Sequence, residues 1–152
     1  MIPATTERVS VNTSDETNRR IRQQTKLRVE ATAAGGMRAI DRRLRELDEE
    51  WDIERYLETM APTFTLLGIG LGLTRGRAWF AFPIMVQAFF LQHAIQGWCP
   101  PIPVLRELGI RTSSEIEQER YALKALRGDF RHVAVTDKEG AGAAEAVRSA
   151  QA

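Results

Sequence analysis

The sequence predicts an all-α fold: a two-helix transmembrane hairpin with cytoplasmic amphipathic helices before and after it. Three observations carry that expectation. Between Thr59 and Leu105 the only charged residues are Arg75 and Arg77, whereas the flanks hold the other 19 basic and all 20 acidic side chains of the 152-residue chain. Two apolar runs lie inside that stretch, and one is long enough to cross a bilayer. The flanks carry helix-start signals and one clear helical stripe. The expected organisation is a disordered N-terminus (1–12), a charged cytoplasmic helical arm (13–57), the hairpin (58–110), a cytoplasmic helix (111–131) and a disordered tail (132–152).

Residues 1–12 read as extended and poorly ordered, and they lack the basic start and apolar core of a signal peptide. "TSDE", Thr13–Glu16, is a capping box, in which a Thr hydroxyl and a Glu carboxylate satisfy free N–H groups at a helix start. The helix that follows runs to about Ala34 with few apolar residues, and Gly35-Gly36 break or hinge it. Next, Met37, Ile40, Leu44, Leu47 and Trp51 recur at spacings of three and four, which puts them on one helical face. Such a face suits a contact within the chain or a dimer, a bilayer surface, or a binding groove. Asp52 is placed to cap a separate helix that enters the apolar region.

The first apolar run, Thr59–Thr74, is uncharged for 16 residues, and the second, Ala78–Trp98, covers 21. A membrane helix needs about 20 residues. The second run qualifies; the first is marginal, with Tyr56 and Leu57 lengthening it at the interface, where tyrosine is favoured. Phe80, Phe82, Phe89, Phe90 and Leu91 cover most of the second helix's circumference, where a soluble surface helix keeps a polar face. Trp79 and Trp98 bracket it as an aromatic belt. The competing reading is a soluble helical bundle that buries both helices. The short loop Thr74–Arg77 makes the helices antiparallel. Arginines close to the hairpin on both flanks place both arms in the cytoplasm by the positive-inside rule. Pro100, Pro101 and Pro103 forbid continuation of the second helix. "TSSE", Thr112–Glu115, opens a further helix that Gly128 ends. The Ala/Gly/charged tail has the composition of a disordered segment.

The order of "LLGIGLGL" (66–73), "GWCP" (97–100) and "VLRELGI" (104–110) around two membrane runs resembles the YgaP-like inner-membrane transmembrane domain, a bacterial domain of unknown function. The resemblance covers about Glu58 to Ile110. It implies a bacterial inner-membrane, multi-pass location. Some members of that family are fused to a rhodanese, a sulfurtransferase with its own cysteine; no such domain accompanies the motifs here, so sulfur transfer is not carried over.

Candidate residues are few. Cys99 is the only cysteine, which excludes an internal disulfide framework or a Cys-rich metal site. It follows a helix C-terminus, whose partial negative charge opposes a reactive thiolate. The leading reading is structural, with a sulfur-accepting or redox role and metal ligation as alternatives. Gln87, Gln92, His93 and Gln96 are polar groups within a membrane helix, suited to interhelical hydrogen bonds or to a solute or proton pathway. Gly68, Gly70 and Gly72 suit close helix packing, within the hairpin or between copies. Common nucleotide, zinc-protease, thiol-redox and hydrolase motifs are absent, so neither an enzyme nor a cofactor is expected. Near-balanced charge implies no nucleic-acid partner. The expected partners are the lipid bilayer, a second copy or higher oligomer, and a cytoplasmic protein. The expected role is an anchor, adaptor or assembly module, and the alternative is an oligomeric conduit for a small solute, linked to sulfur species.

Overall fold

Every element among the described residues of the computed structural model is helical; these residues are 4, 6–131 and 146–150. Contacts divide the chain into two compact units, Met1–Arg22 with Trp51–Ser114, and Gln23–Glu50 with Glu115–Ala152. The sequence-based boundary at 57/58 therefore falls inside a helix, and the charged arm contributes to both units.

In the first unit, residues 8–11 form a short helix rather than an extended tail. This α1, Arg8–Val11, buries Val9. The reason is local packing, since Val9 joins Ile53, Leu57, Cys99, Ile102 and Leu105 in one apolar cluster. Helix α2, Asp15–Ala34, begins one residue later than its capping box suggests. Ser14 Oγ accepts the Thr17 N–H at 3.2 Å, while Thr13 Oγ1 donates to the Val9 carbonyl at 2.8 Å and so belongs to the turn behind α1.

Helix α4, Ile53–Arg75, starts where Asp52 Oδ1 accepts the Arg55 N–H at 2.8 Å, as the sequence predicts. It runs through Pro62 and ends at Gly76, whose φ of 132° few other residues adopt. Thr59, Thr63, Thr65 and Thr74 each donate a hydroxyl to the carbonyl four residues back, at 2.7–2.8 Å. Their polar groups are thereby satisfied within the helix, which suits an apolar surrounding. A 3-10 turn, Arg77–Phe80, leads into α5, Ala81–Gln96. Pairings of Thr65 with Gln87, and of Gly68 with Pro83, show that α4 and α5 run antiparallel. The chain thus has a helical hairpin, with a single residue, Gly76, between α4 and the 3-10 turn.

Helix α5 ends at Gly97 in the left-handed region (φ 78°), its N–H returning to the His93 carbonyl at 2.7 Å. Gly97, rather than the prolines, ends α5, and the prolines instead start a helix. Pro101 occupies the first turn of α6, Pro101–Glu107, where a missing N–H costs nothing and a fixed φ is already helical.

The second unit is built from the remainder of α2, helix α3 (Met37–Glu49) and helix α7 (Ser113–Arg127). The predicted stripe is shorter than its pattern. Ile40, Leu44 and Leu47 pack on Ile116, Leu123 and Val29; Met37 is exposed, and Trp51 lies beyond the helix in the other unit. The face is therefore used within the chain. Beside it, fully buried Glu119 binds Arg43 Nε at 2.7 Å and Arg28 Nε at 3.4 Å. Of the predicted tail, 146–150 are helical, and Lys124 Nζ donates to the Ala150 carbonyl at 2.9 Å; the rest of 132–152 lies outside the described residues.

Candidate functional site

The polar and thiol groups singled out in the sequence gather where α5 ends. Gly97 lets α1 approach: a Cβ there would lie 2.3 Å from the Arg8 carbonyl oxygen. Arg8 then reaches two groups. Its Nη2 pairs with Glu54 Oε1 at 3.0 Å, and its Nη1 donates to the Ala94 carbonyl at 3.1 Å. Asn12 Nδ2 donates to the Gln96 carbonyl at 2.9 Å. The last turn of α5, whose carbonyls have no partners within the helix, is thus capped by side chains from the start of the chain. A cation at a helix C-terminus is also favoured by the helix dipole.

The other oxygen of Glu54 completes the arrangement. Oε2 lies 2.8 Å from His93 Nε2, which is buried, and the Phe90 ring stacks beside the imidazole at 6.5 Å. Burial works against ionised Glu54, but the hydrogen bonds from His93 and Arg8 outweigh it and hold the carboxyl below its ordinary range. His93 Nδ1 has no hydrogen-bond partner.

Cys99 is next to this group and buried in the apolar cluster. It does follow a helix C-terminus, as the sequence suggests, but α6 begins two residues later, so position alone does not set its chemistry. Burial does. It pushes the thiol up to about 11, with the Glu54 charge adding to the effect and the Ile102 N–H working against it. Such a thiol is protonated and weakly nucleophilic at neutral pH. Cys99, Pro100 and Pro101 also line an apolar pocket of about 250 Å3 with Leu57, Met60, Ala61, Phe64, Met85, Val86, Phe89 and Phe90. A water there would find no polar partners. Among the described residues no group of three or more His, Cys, Asp or Glu side chains is placed to hold a metal ion.

Of the four polar side chains of α5 singled out for interhelical hydrogen bonds, two make them: His93 to Glu54 at 2.8 Å, and Gln87 Nε2 to Thr65 Oγ1 at 2.6 Å. The glycines divide by role. A Cβ on Gly68 would lie 2.6 Å from Pro83 Cδ, and one on Gly72 2.7 Å from Phe80 Cε1, so both serve packing within the hairpin. Gly70 has nothing within 4 Å of a Cβ and takes no part in packing within the hairpin. Arg8 and Glu54 were not singled out in the sequence. The only signal was an acid one turn ahead of an uncharged run, and Arg8 lay in a segment read as disordered.

No protein-family model, curated protein or solved structure matches this chain. The resemblance to the YgaP-like domain rests on its three short motifs.

Proposed function

We propose that this chain is a small integral inner-membrane protein of the YgaP-like kind. In this reading α4 and α5 form a two-pass hairpin, both arms are cytoplasmic, and the protein serves as a membrane anchor, adaptor or assembly module. The observation that carries it is the side-chain distribution on the hairpin. Leu66, Leu73 and Ile84 are 69%, 75% and 70% exposed, although they belong to the most apolar part of the chain. The helix Arg77–Gln96 is long and apolar enough to cross a bilayer, and only 11% of its apolar window is buried. The core helix of a soluble protein hides such side chains, and a contiguous exposed apolar surface marks a lipid or protein contact. The uncharged part of α4 is shorter, about 24 Å at 1.5 Å per residue, against a hydrocarbon thickness of about 30 Å. Arg75 at its end can snorkel to the headgroups, and its threonine hydroxyls are already satisfied.

Membranes washed with alkaline carbonate test this. The protein is expected in the pellet and released only by detergent. Recovery in the wash would sink the hairpin and leave a soluble bundle.

A further inference from the structure

The two hairpin helices touch near their turn and leave a space further from it. Gly68 of α4 meets Pro83 of α5, but one helical turn back along α4 the apolar pocket of about 250 Å3 begins. Leu57, Met60, Ala61 and Phe64 line it at spacings of three and four, a single face of α4. Met85 and Phe89, four residues apart on α5, stand in the facing wall, and the segment that starts at Cys99 supplies a third. Floor and mouth differ. Leu57, Ala61 and Cys99 are buried, whereas Phe64 and Met85 are 39% and 49% exposed. The pocket is therefore entered past Phe64 and Met85, from the outer surface of the hairpin.

Shape and chemistry select the occupant. Leu57 and Phe64 are seven residues apart, so the α4 wall is about 10 Å long. A volume of about 250 Å3 spread over that length leaves a channel about 5 Å across. Apolar cavities of even about 150 Å3 stay dry and take up hydrocarbon. Among the described residues, none of the lining side chains is charged or carries a hydroxyl or an amide. Nothing in the walls can hold a carboxylate or a headgroup. The slot fits an unbranched alkyl chain whose polar end stays outside.

We infer that this pocket binds one acyl chain of a membrane phospholipid, which enters past Phe64 and Met85 and reaches the floor at Leu57, Ala61 and Cys99. This rests on the membrane reading of the hairpin, since the bilayer is what brings acyl chains to the mouth. It adds a held lipid to the lipid that merely surrounds the helices.

Photo-crosslinking of the full chain in vesicles of phosphatidylethanolamine and phosphatidylglycerol tests this. The probe is a phosphatidylcholine with a diazirine on one acyl chain. Light expels nitrogen and leaves a carbene that inserts into an adjacent C–H or S–H bond, and peptide mass spectrometry locates the adducts. Adducts are expected on the floor, at Leu57 and Cys99, as well as on the outer surface at Leu66, Leu73 and Ile84. Ala61→Leu and Val86→Phe fill the pocket from opposite walls. Each is expected to lower the floor adducts severalfold and to leave the surface adducts unchanged, which also shows that the variant is folded. Surface adducts without floor adducts in the parent chain would overturn the site and leave the hairpin intact. Floor adducts that persist at full yield in both filled variants would overturn it too. Absence of adducts from both sets would remove the membrane reading and the site with it.

Discussion

Two side chains at the end of the hairpin carry opposite lessons about ionisation. Cys99 has a thiol pushed up to about 11, so alkylation by a water-soluble reagent is expected to be slow at pH 7 and to accelerate towards pH 11. A measured midpoint below 8 would mean that the thiol is not buried as described. Cys99→Ser is not a silent exchange here. A hydroxyl among Val9, Ile53 and Ile102 finds the Ile102 N–H but not the water that an interfacial position would supply for its own proton, and a buried polar group left unsatisfied costs about 1–3 kcal/mol. Denaturant titration in micelles should show that loss, and Cys99→Ala should show less. Glu54 goes the other way. Its folded pKa is depressed below the ordinary 4.5, so its contribution is present above pH 4.5 and is lost as the pH falls through the lower folded value. Glu54→Gln is expected to flatten the stability profile in that acid window. An unchanged slope would mean that Arg8 and His93 do not hold the carboxylate.

The pairing of α4 with α5 depends on small residues that are not equivalent. Gly68→Ala places a methyl group 2.6 Å from Pro83 Cδ, and overpacking of this kind costs about 1–3 kcal/mol. Gly70→Ala meets nothing within 4 Å and should gain the roughly 0.5–1 kcal/mol by which alanine exceeds glycine in a helix. Thermal unfolding of the two variants in the same detergent measures both signs. Equal destabilisation would refute the intrachain role of Gly68. In the second unit α7 is fixed to α3 by Glu119 as much as by leucines. Glu119→Ala removes the buried partner of Arg43, which keeps Glu46 at 3.1 Å and Glu50 at 3.3 Å, so the loss is expected below the roughly 3–5 kcal/mol of a buried charge left without any partner. A loss under 1 kcal/mol in chemical denaturation would make that pair dispensable.

For the molecule as a whole, the proposed two-pass hairpin carries a topology that reporter fusions read directly. Reporter domains fused before Met1 and after Ala152 are both expected to behave as cytoplasmic, and a periplasmic signal from either would rule out the two-pass arrangement. Much of this fold was legible because its signals are local: Asp52 as a cap, Gly128 as a helix end, Gly35-Gly36 as a break, and the aliphatic spacing of α3. What stayed hidden was long-range. Val9 is an ordinary valine in a polar segment, and only its seat against Ile53 and Cys99 makes α1 a helix. Nothing near Glu54 announces a histidine 39 residues further on. The prolines after Cys99 carried two meanings, helix end and helix start, and spacing alone favoured the first.

The capping of α5 by Arg8 has a consequence for biogenesis. The donor and its acceptor, the Ala94 carbonyl, are 86 residues apart, and ribosomes add roughly 5–20 residues per second. Arg8 therefore leaves the ribosome roughly 4–17 s before the carbonyl it will serve has been made. Throughout that interval Val9 has no core to enter and Glu54 has no imidazole beside it. The segment translated first is among the last to be seated, and it can close only after the second apolar helix has been delivered to its final place.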